Sequence, residues 1–90
     1  MSVTAAQLRA VIKYHLKNFN DEGVTISDDT TLSDVLDPDD GFGAANSQAI
    51  FKAAIRWTLW NADHDDPTWP NNWPSETVAE LADALLATAG

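Results

Sequence analysis

The chain has 90 residues and no cysteine, and its fourteen acidic and five basic residues give a formal charge of −9. The length leaves room for one domain, residues 1–90, and the hydrophobic fraction of 44% is enough for one core. The composition excludes disulfides, zinc–thiolate sites and a membrane-spanning helix. The negative charge disfavours contact with nucleic acids and anionic membranes and favours basic protein partners. No secretory signal is evident, so we expect a cytoplasmic protein. We also expect it to be a monomer.

The first predicted helix covers residues 4–19. Thr4 and Gln7 are spaced as a capping box, in which each side chain accepts a hydrogen bond from the other residue's backbone. His15 borders the apolar face and is interpreted as a partly buried spacer, because no second metal-ligand type lies at helical spacing from it. The apolar face consists of Leu8, Val11, Ile12, Leu16 and Phe19.

Residues 24–36 predict an extended loop that ends in a short helical turn. Val24 and Ile26 alternate with polar residues, but the chain has no second β-rich run to pair with them. We therefore expect these two side chains to hold a loop against the core. The turn that follows has Thr31 as its expected N-cap and Asp34 in its first turn. Its inward-pointing residues are expected to be Leu32, Val35 and Leu36.

Two acidic segments are candidates for a calcium loop, which needs glycine at the sixth position and glutamate at the twelfth. Counting from Asp37, these positions hold Phe42 and Gln48. Counting from Asn61, they hold an aspartate and an asparagine. Both segments fail the pattern, so we expect solvated acidic loops and no metal site.

The second predicted helix runs from about residue 47 to residue 60. Its polar arc is narrow and consists of Gln48, Lys52 and Arg56 at i, i+4 spacing. Because so much of the helix is apolar, we expect it to be central and largely enclosed by its neighbours. The apolar arc comprises Ile50, Phe51, Ala54, Ile55, Trp57 and Leu59.

Residues 61–74 hold three prolines and two tryptophans, which excludes a long continuous helix there. Trp69 and Trp73 are candidates for an aromatic platform that binds a sugar or peptide. We favour the alternative that both indoles cover the core of a domain short of apolar surface. A short helical turn is expected around residues 71–73.

The last predicted helix covers residues 77–87 and begins with a second capping box, formed by Thr77 and Glu80. It is expected to bury Val78, Leu81, Ala82, Leu85 and Leu86. The chain is therefore predicted to be all-α, a small bundle of three main helices plus one or two short ones.

Three motifs occur in a distinctive order. Residues 29–36 are Asp-Thr-Thr-Leu-Ser-Asp-Val-Leu, Ser47 precedes Phe51, Ala54 and Trp57 at +4, +7 and +10, and residues 77–81 are Thr-Val-Ala-Glu-Leu. In this order they resemble the acyl carrier protein family, whose loop, second helix and last helix carry corresponding motifs. The resemblance covers nearly the whole chain and implies an acyl-carrier-like bundle.

The resemblance also implies a function. It makes Ser47 the attachment point of a 4′-phosphopantetheine arm, whose terminal thiol carries acyl groups as thioesters in fatty acid or polyketide biosynthesis. A helix N-terminus is suited to a phosphodiester anion. The implied partners are a phosphopantetheinyl transferase and acyl-handling enzymes, which would contact Gln48, Lys52 and Arg56.

The sequence departs from the family pattern around this serine. Asn46 and Gln48 stand where the family has Asp and Leu, and Lys52 and Arg56 add positive charge to a helix that is acidic in the family. Either the partner enzymes differ, or the attachment function is lost on a retained fold. The alternative function is thus an unmodified acidic binding or regulatory module. We expect no enzyme and no catalytic residues, because no nucleophile–base pair or phosphate-binding glycine loop is evident.

Overall fold

A computed structural model of the chain describes residues 3–18, 25–36 and 46–89. The described residues form three α-helices, α1 (Ala5–Asn18), α2 (Asn46–Asn61) and α3 (Val78–Thr88), and two 3₁₀ turns (Leu32–Asp34 and Trp73–Ser75). Within these ranges there is no strand, so the prediction of a small all-α bundle is confirmed. None of the described helices is long and apolar enough to cross a membrane. The predicted roles of Phe19, Val24 and residues 37–45 fall outside the described residues.

Helices α1 and α3 both begin with the predicted capping box. In α1 the Gln7 N–H donates to Thr4 Oγ1 at 3.1 Å, and the Thr4 N–H donates to Gln7 Oε1 at 2.9 Å. In α3 the Glu80 N–H donates to Thr77 Oγ1 at 3.2 Å, and the Thr77 N–H donates to Glu80 Oε1 at 3.0 Å. Each box fixes where its helix starts, since it pairs backbone donors that have no partner within the helix.

The core lies where one stripe of each helix meets the others. All three stripes repeat at helical spacing, and every large side chain in them is fully buried. Helix α1 packs more extensively against α3 than against α2. The stripes are Leu8, Ile12 and Leu16 from α1, Phe51, Ile55 and Leu59 from α2, and Val78, Leu81 and Leu85 from α3, with Leu32 and Leu36 added by the connecting segment.

The prediction that α2 is central and largely enclosed is wrong. Ile50 is 51% exposed and Trp57 is 64% exposed, although both belong to the predicted apolar arc. Successive residues of a helix are 100° apart, so these two positions point away from the buried stripe of Phe51, Ile55 and Leu59. Among the described side chains of α2, only that stripe is fully buried.

The connecting segment at residues 25–36 joins the other elements through its backbone. Thr31 is the N-cap residue of the first 3₁₀ turn, as predicted, but its side chain makes no capping hydrogen bond. Instead Thr31 forms an isolated antiparallel bridge with Thr77, and the Leu32 N–H donates to the Glu76 carbonyl at 3.0 Å. The backbone partner explains why the hydroxyl is not needed as a cap.

The same segment supplies acceptors to the first turn of α3. The Val78 N–H donates to the Thr30 carbonyl and the Ala79 N–H donates to the Asp28 carbonyl, both at 3.0 Å. A helix start leaves about four N–H groups without intrahelical partners. Here the loop and the capping box together provide those partners, so the start of α3 is fixed by two separate parts of the chain.

The tryptophans of the proline-rich segment cover the core, as predicted. Trp73 is 7% exposed, and its ring stacks on Phe51 with centroids 5.8 Å apart and planes 16° apart. Trp69 is half-buried and meets both rings edge-on, at 6.3 Å from Phe51 and 5.1 Å from Trp73. These contacts favour the core role over a ligand platform for both indoles. The short helical turn begins at Trp73, slightly later than the sequence predicts.

Candidate functional site on helix α2

Ser47 is the second residue of α2, which begins at Asn46. The sequence placed this serine at the head of the helix, and the backbone agrees to within one residue. Its side chain lies outside the described part of the structure. The first turn of α2 contains no acidic residue. Because the unpaired N–H groups and the helix dipole make such an end attractive to anions, no carboxylate of α2 itself opposes a negative group there.

The predicted partner-contact residues Gln48, Lys52 and Arg56 lie on consecutive turns of α2. Gln48 and Lys52 are half-buried and Arg56 is exposed. The Lys52 ammonium lies 5.1 Å from the centroid of the Trp69 ring, so the cation rests on an indole that also covers the core. The structure therefore places Lys52, one of the three predicted contact residues, against an aromatic residue of the proline-rich segment.

Arg56 contacts a second indole. Its guanidinium lies 4.7 Å from the centroid of the Trp60 ring, and its Nε lies 3.4 Å from Asp66 Oδ1. The Trp60 indole N–H donates a hydrogen bond to the same oxygen. Arg56, Trp60 and Asp66 thus hold one another in place on the surface, and Asp66 offsets one of the two positive charges of α2.

An open pocket of about 440 Å³ separates α2 from residues 66–69. Lys52 and Arg56 line one side of it, and Asp66 and Trp69 line the other. The pocket therefore has an indole wall, two cations and one carboxylate. This arrangement can accept a carboxylate or another small anion beside an apolar group.

A second open groove, of about 510 Å³, lies between α1 and α2. Its lining is mainly apolar and includes Val3, Val11 and Thr58. By helical register, backbone position 47 lies on the same side of α2 as position 58, eleven residues further on. The groove therefore lies on the same side of α2 as the predicted attachment position, but toward the other end of the helix.

Sequence reasoning missed the exposed apolar residues of α2 as surface features. Ile50, Trp57 and Trp60 are 51%, 64% and 44% exposed, and the two indole centroids are 6.5 Å apart. A usable signal was present, because positions 50, 53, 57 and 60 follow a heptad-like spacing distinct from the stripe at 51, 55 and 59. Two apolar stripes on one helix indicate two apolar faces, of which the core needs only one.

His15 is half-buried beside Tyr14, whose ring centroid lies 5.3 Å from the imidazole. Burial lowers the pKa of His15 below its ordinary value, since it penalises the charged form. The half-buried position agrees with the interpretation of His15 as a partly buried spacer. Among the residues that the structure describes, no group of three His, Asp or Glu side chains lies close enough together to hold a metal ion.

No protein-family model matches the chain, and no curated protein or solved structure is similar enough to it to count as a match. The case for a function therefore depends on the residues of α2 and on the order of the elements around it.

Proposed function

We propose that the protein is a cytoplasmic carrier that tethers acyl or related intermediates as thioesters on a 4′-phosphopantetheine arm attached to Ser47. The observation that carries the proposal is the start of α2 at Asn46, which puts Ser47 in the first helical turn. The surrounding elements also follow the expected order. A long helix, an extended segment with a short turn, and a last helix capped by Thr77 lie before and after this position.

The residues around this position fit a phosphodiester. The first turn of α2 offers backbone N–H groups and no carboxylate, so the helix end stabilises a negative charge placed on it. The groove between α1 and α2 has a mainly apolar lining and is a candidate shelter for the apolar part of a tethered group.

The modification is a transfer from coenzyme A. The Ser47 oxygen bonds to the phosphorus next to the pantetheine, and the phosphoanhydride bond of coenzyme A breaks. The leaving group is adenosine 3′,5′-bisphosphate, and the serine proton passes to a base on the transferase. The bound arm supplies a thiol for thioester formation, and this chain's own contribution is to position it and present it to partner enzymes.

The partner enzymes in this proposal meet α2 through Gln48, Lys52 and Arg56. The partner enzymes are a phosphopantetheinyl transferase and enzymes that load, modify or unload the acyl group. Since Lys52 and Arg56 are positive, a partner surface must offer acceptors or carboxylates opposite these two residues, because like charges brought together reduce affinity. A transferase that recognises an acidic helix would modify this chain poorly.

A second candidate function is an unmodified acidic binding or regulatory module on the same bundle. The observation that favours it is the composition of α2, which exposes Trp57 and Trp60 and carries two cations and no acidic residue. In this case the serine has only a structural role at the start of the helix. The charge of −9 then directs the rest of the surface toward basic partners.

Mass spectrometry separates the two candidates. The purified chain is incubated with coenzyme A and phosphopantetheinyl transferases of broad and narrow specificity. A carrier gains the mass of one arm, Ser47→Ala gains nothing, and the matched variant Ser33→Ala, which removes an exposed serine elsewhere in the chain, gains the arm normally. An unchanged mass of the wild-type chain with every transferase, and after expression in its own cells, contradicts the carrier and leaves the binding module.

A further inference from the structure

Helix α2 has a second apolar stripe on its exposed side. Its large members are Ile50, Trp57 and Trp60. Ala53 belongs to the same stripe, and Arg56 lies at its edge. We call these five residues the α2 face. A surface that exposes large apolar side chains together is a mark of an interaction site. No element within the described ranges packs over this face.

The spacing of the face indicates the shape of its partner. Ile50, Ala53, Trp57 and Trp60 are separated by three, four and three residues, which is the a/d spacing of a helix that packs against another helix. In that register Arg56 is at the flanking g position, from which a side chain reaches charges on the opposite helix. The pattern therefore favours a helical partner over an extended one.

The aromatic residues of the face are already ordered. The Arg56 guanidinium lies on the Trp60 ring, and the Trp60 indole N–H is bonded to Asp66. Trp57 lies beside Trp60 at a centroid distance of 6.5 Å. Aromatic side chains held in this way lose little conformational freedom on binding, which makes them good anchors for a partner.

The charge of the face indicates the chemistry of its partner. Helix α2 carries Lys52 and Arg56 and no acidic residue, in a chain whose formal charge is −9. Asp66 offsets the charge of Arg56, so the positive charge that remains next to the face is that of Lys52, one turn before Arg56 and outside the five residues of the face. Carboxylates on an opposing helix would complement this charge, whereas lysines would be repelled by it.

We propose that the α2 face binds an amphipathic helix of a partner protein, with apolar residues facing Trp57 and Trp60 and carboxylates beside Lys52 and Arg56. The rest of the partner must be neutral or basic, because a strongly acidic protein is repelled by the net charge of this chain. A second copy of the chain is a poorer occupant, since a symmetric contact brings the cations of both copies together. The proposal holds whether or not Ser47 is modified.

A displayed peptide library tests the proposal. Each peptide keeps apolar residues at heptad a and d positions, while glutamate, glutamine and lysine vary at the flanking positions. The library is selected on the full wild-type chain, and the selected peptides are measured against Trp57→Ala. The matched control is Tyr14→Ala on α1, because Tyr14 is 65% exposed and Trp57 is 64% exposed.

We expect glutamate to be enriched over lysine at the flanking positions. Trp57→Ala should weaken the selected peptides about tenfold or more, as loss of an aromatic anchor does, while Tyr14→Ala leaves them unchanged. Lys52→Glu should reduce the preference for glutamate, and Lys17→Glu on α1 should not.

Three results overturn the proposal. Absence of enrichment over a blank surface shows that the face binds no such helix. Equal enrichment of glutamate and lysine, or binding that Trp57→Ala does not weaken, removes the assigned chemistry. Concentration-dependent self-association in sedimentation that Trp57→Ala abolishes assigns the face to a second copy of the chain instead.

Discussion

The Asp28 carboxylate lies 2.8 Å from the Lys13 ammonium of α1, while the carbonyl of the same residue accepts a hydrogen bond from Ala79 of α3. Arg9, one turn before Lys13, adds a second cation at 3.5 Å from the carboxylate. One loop residue thus connects two helices, with its side chain on the first and its backbone on the second. The first prediction follows from the charge on that side chain.

The ion pair makes the stability of the fold depend on pH. The hydrogen bond and charge of Lys13, with a further contribution from Arg9, lower the pKa of Asp28 below its ordinary value of 3.8. A carboxyl group whose pKa is lowered by folding stabilises the folded state above its ordinary pKa, and this stabilisation is lost as the pH falls through the folded-state value. We therefore expect Asp28→Asn to be less stable than wild type at pH 7 and the difference to shrink as the pH falls below the ordinary pKa of the carboxyl group.

Urea unfolding at pH 7, 5 and 3 measures this difference. The exposed neighbour Asp29 provides the matched control, because Asp29→Asn removes the same charge one residue away. A difference between wild type and Asp28→Asn that stays constant down to the lowest pH would show that the carboxylate is not the stabilising group.

The stack of Trp73 on Phe51 yields a prediction about the core. Trp73 is nearly fully buried, so Trp73→Ala leaves a large cavity and should lower the free energy of unfolding by about 3–5 kcal/mol. Trp57→Ala removes an equally large but exposed side chain, and it should change that free energy by no more than about 0.5 kcal/mol. Urea denaturation followed by circular dichroism gives both values.

The same comparison tests whether Trp57→Ala is stable enough to be used in the binding experiments. If Trp57→Ala proves as destabilising as Trp73→Ala, then Trp57 belongs to the core and the exposed face does not exist as described.

The features that the sequence predicted well are local. Capping boxes and buried stripes depend on residues three or four positions apart, so the Thr4 and Thr77 starts and the stripe of α3 follow from spacing alone. The features it missed depend on distant pairing. The bridge between Thr31 and Thr77 joins residues 46 positions apart, and no side-chain pattern records a contact made by backbone groups.

The candidate site was predictable only in part, for a similar reason. The start of α2 near Ser47 follows from the apolar run after it. The exposure of Trp57 does not, because hydrophobicity gives the same signal for a buried stripe and for a docking stripe. Only the position of the neighbouring elements, above all Trp69 and Trp73, decides which stripe of α2 is covered.

The end of α2 gives a prediction about the backbone. Asp63 has φ = 66°, and the Asp63 and His64 N–H groups donate to the carbonyls of Trp60 and Leu59. This is the hydrogen-bond pattern of a Schellman motif, in which glycine is the preferred residue at the left-handed position. We expect Asp63→Gly to be more stable than Asp63→Ala by about 1 kcal/mol, since a Cβ is unfavourable at positive φ.

Both Asp63 variants lack the carboxylate, so their difference isolates the backbone effect. Thermal and urea unfolding under identical conditions measure it. Equal stabilities would mean that residue 63 does not keep its left-handed conformation in solution.

The start of α3 gives the last prediction, on the Thr77 hydroxyl. Thr77→Ala removes the acceptor of the Glu80 N–H and should lower the free energy of unfolding by about 1 kcal/mol. Thr77→Ser keeps the oxygen and should cost less than half as much, because serine and threonine cap helices similarly. Urea unfolding compares the three proteins, and hydrogen exchange at the Glu80 amide reports the cap directly. A serine variant as unstable as the alanine variant would assign the effect to the threonine methyl group rather than to the hydrogen bond.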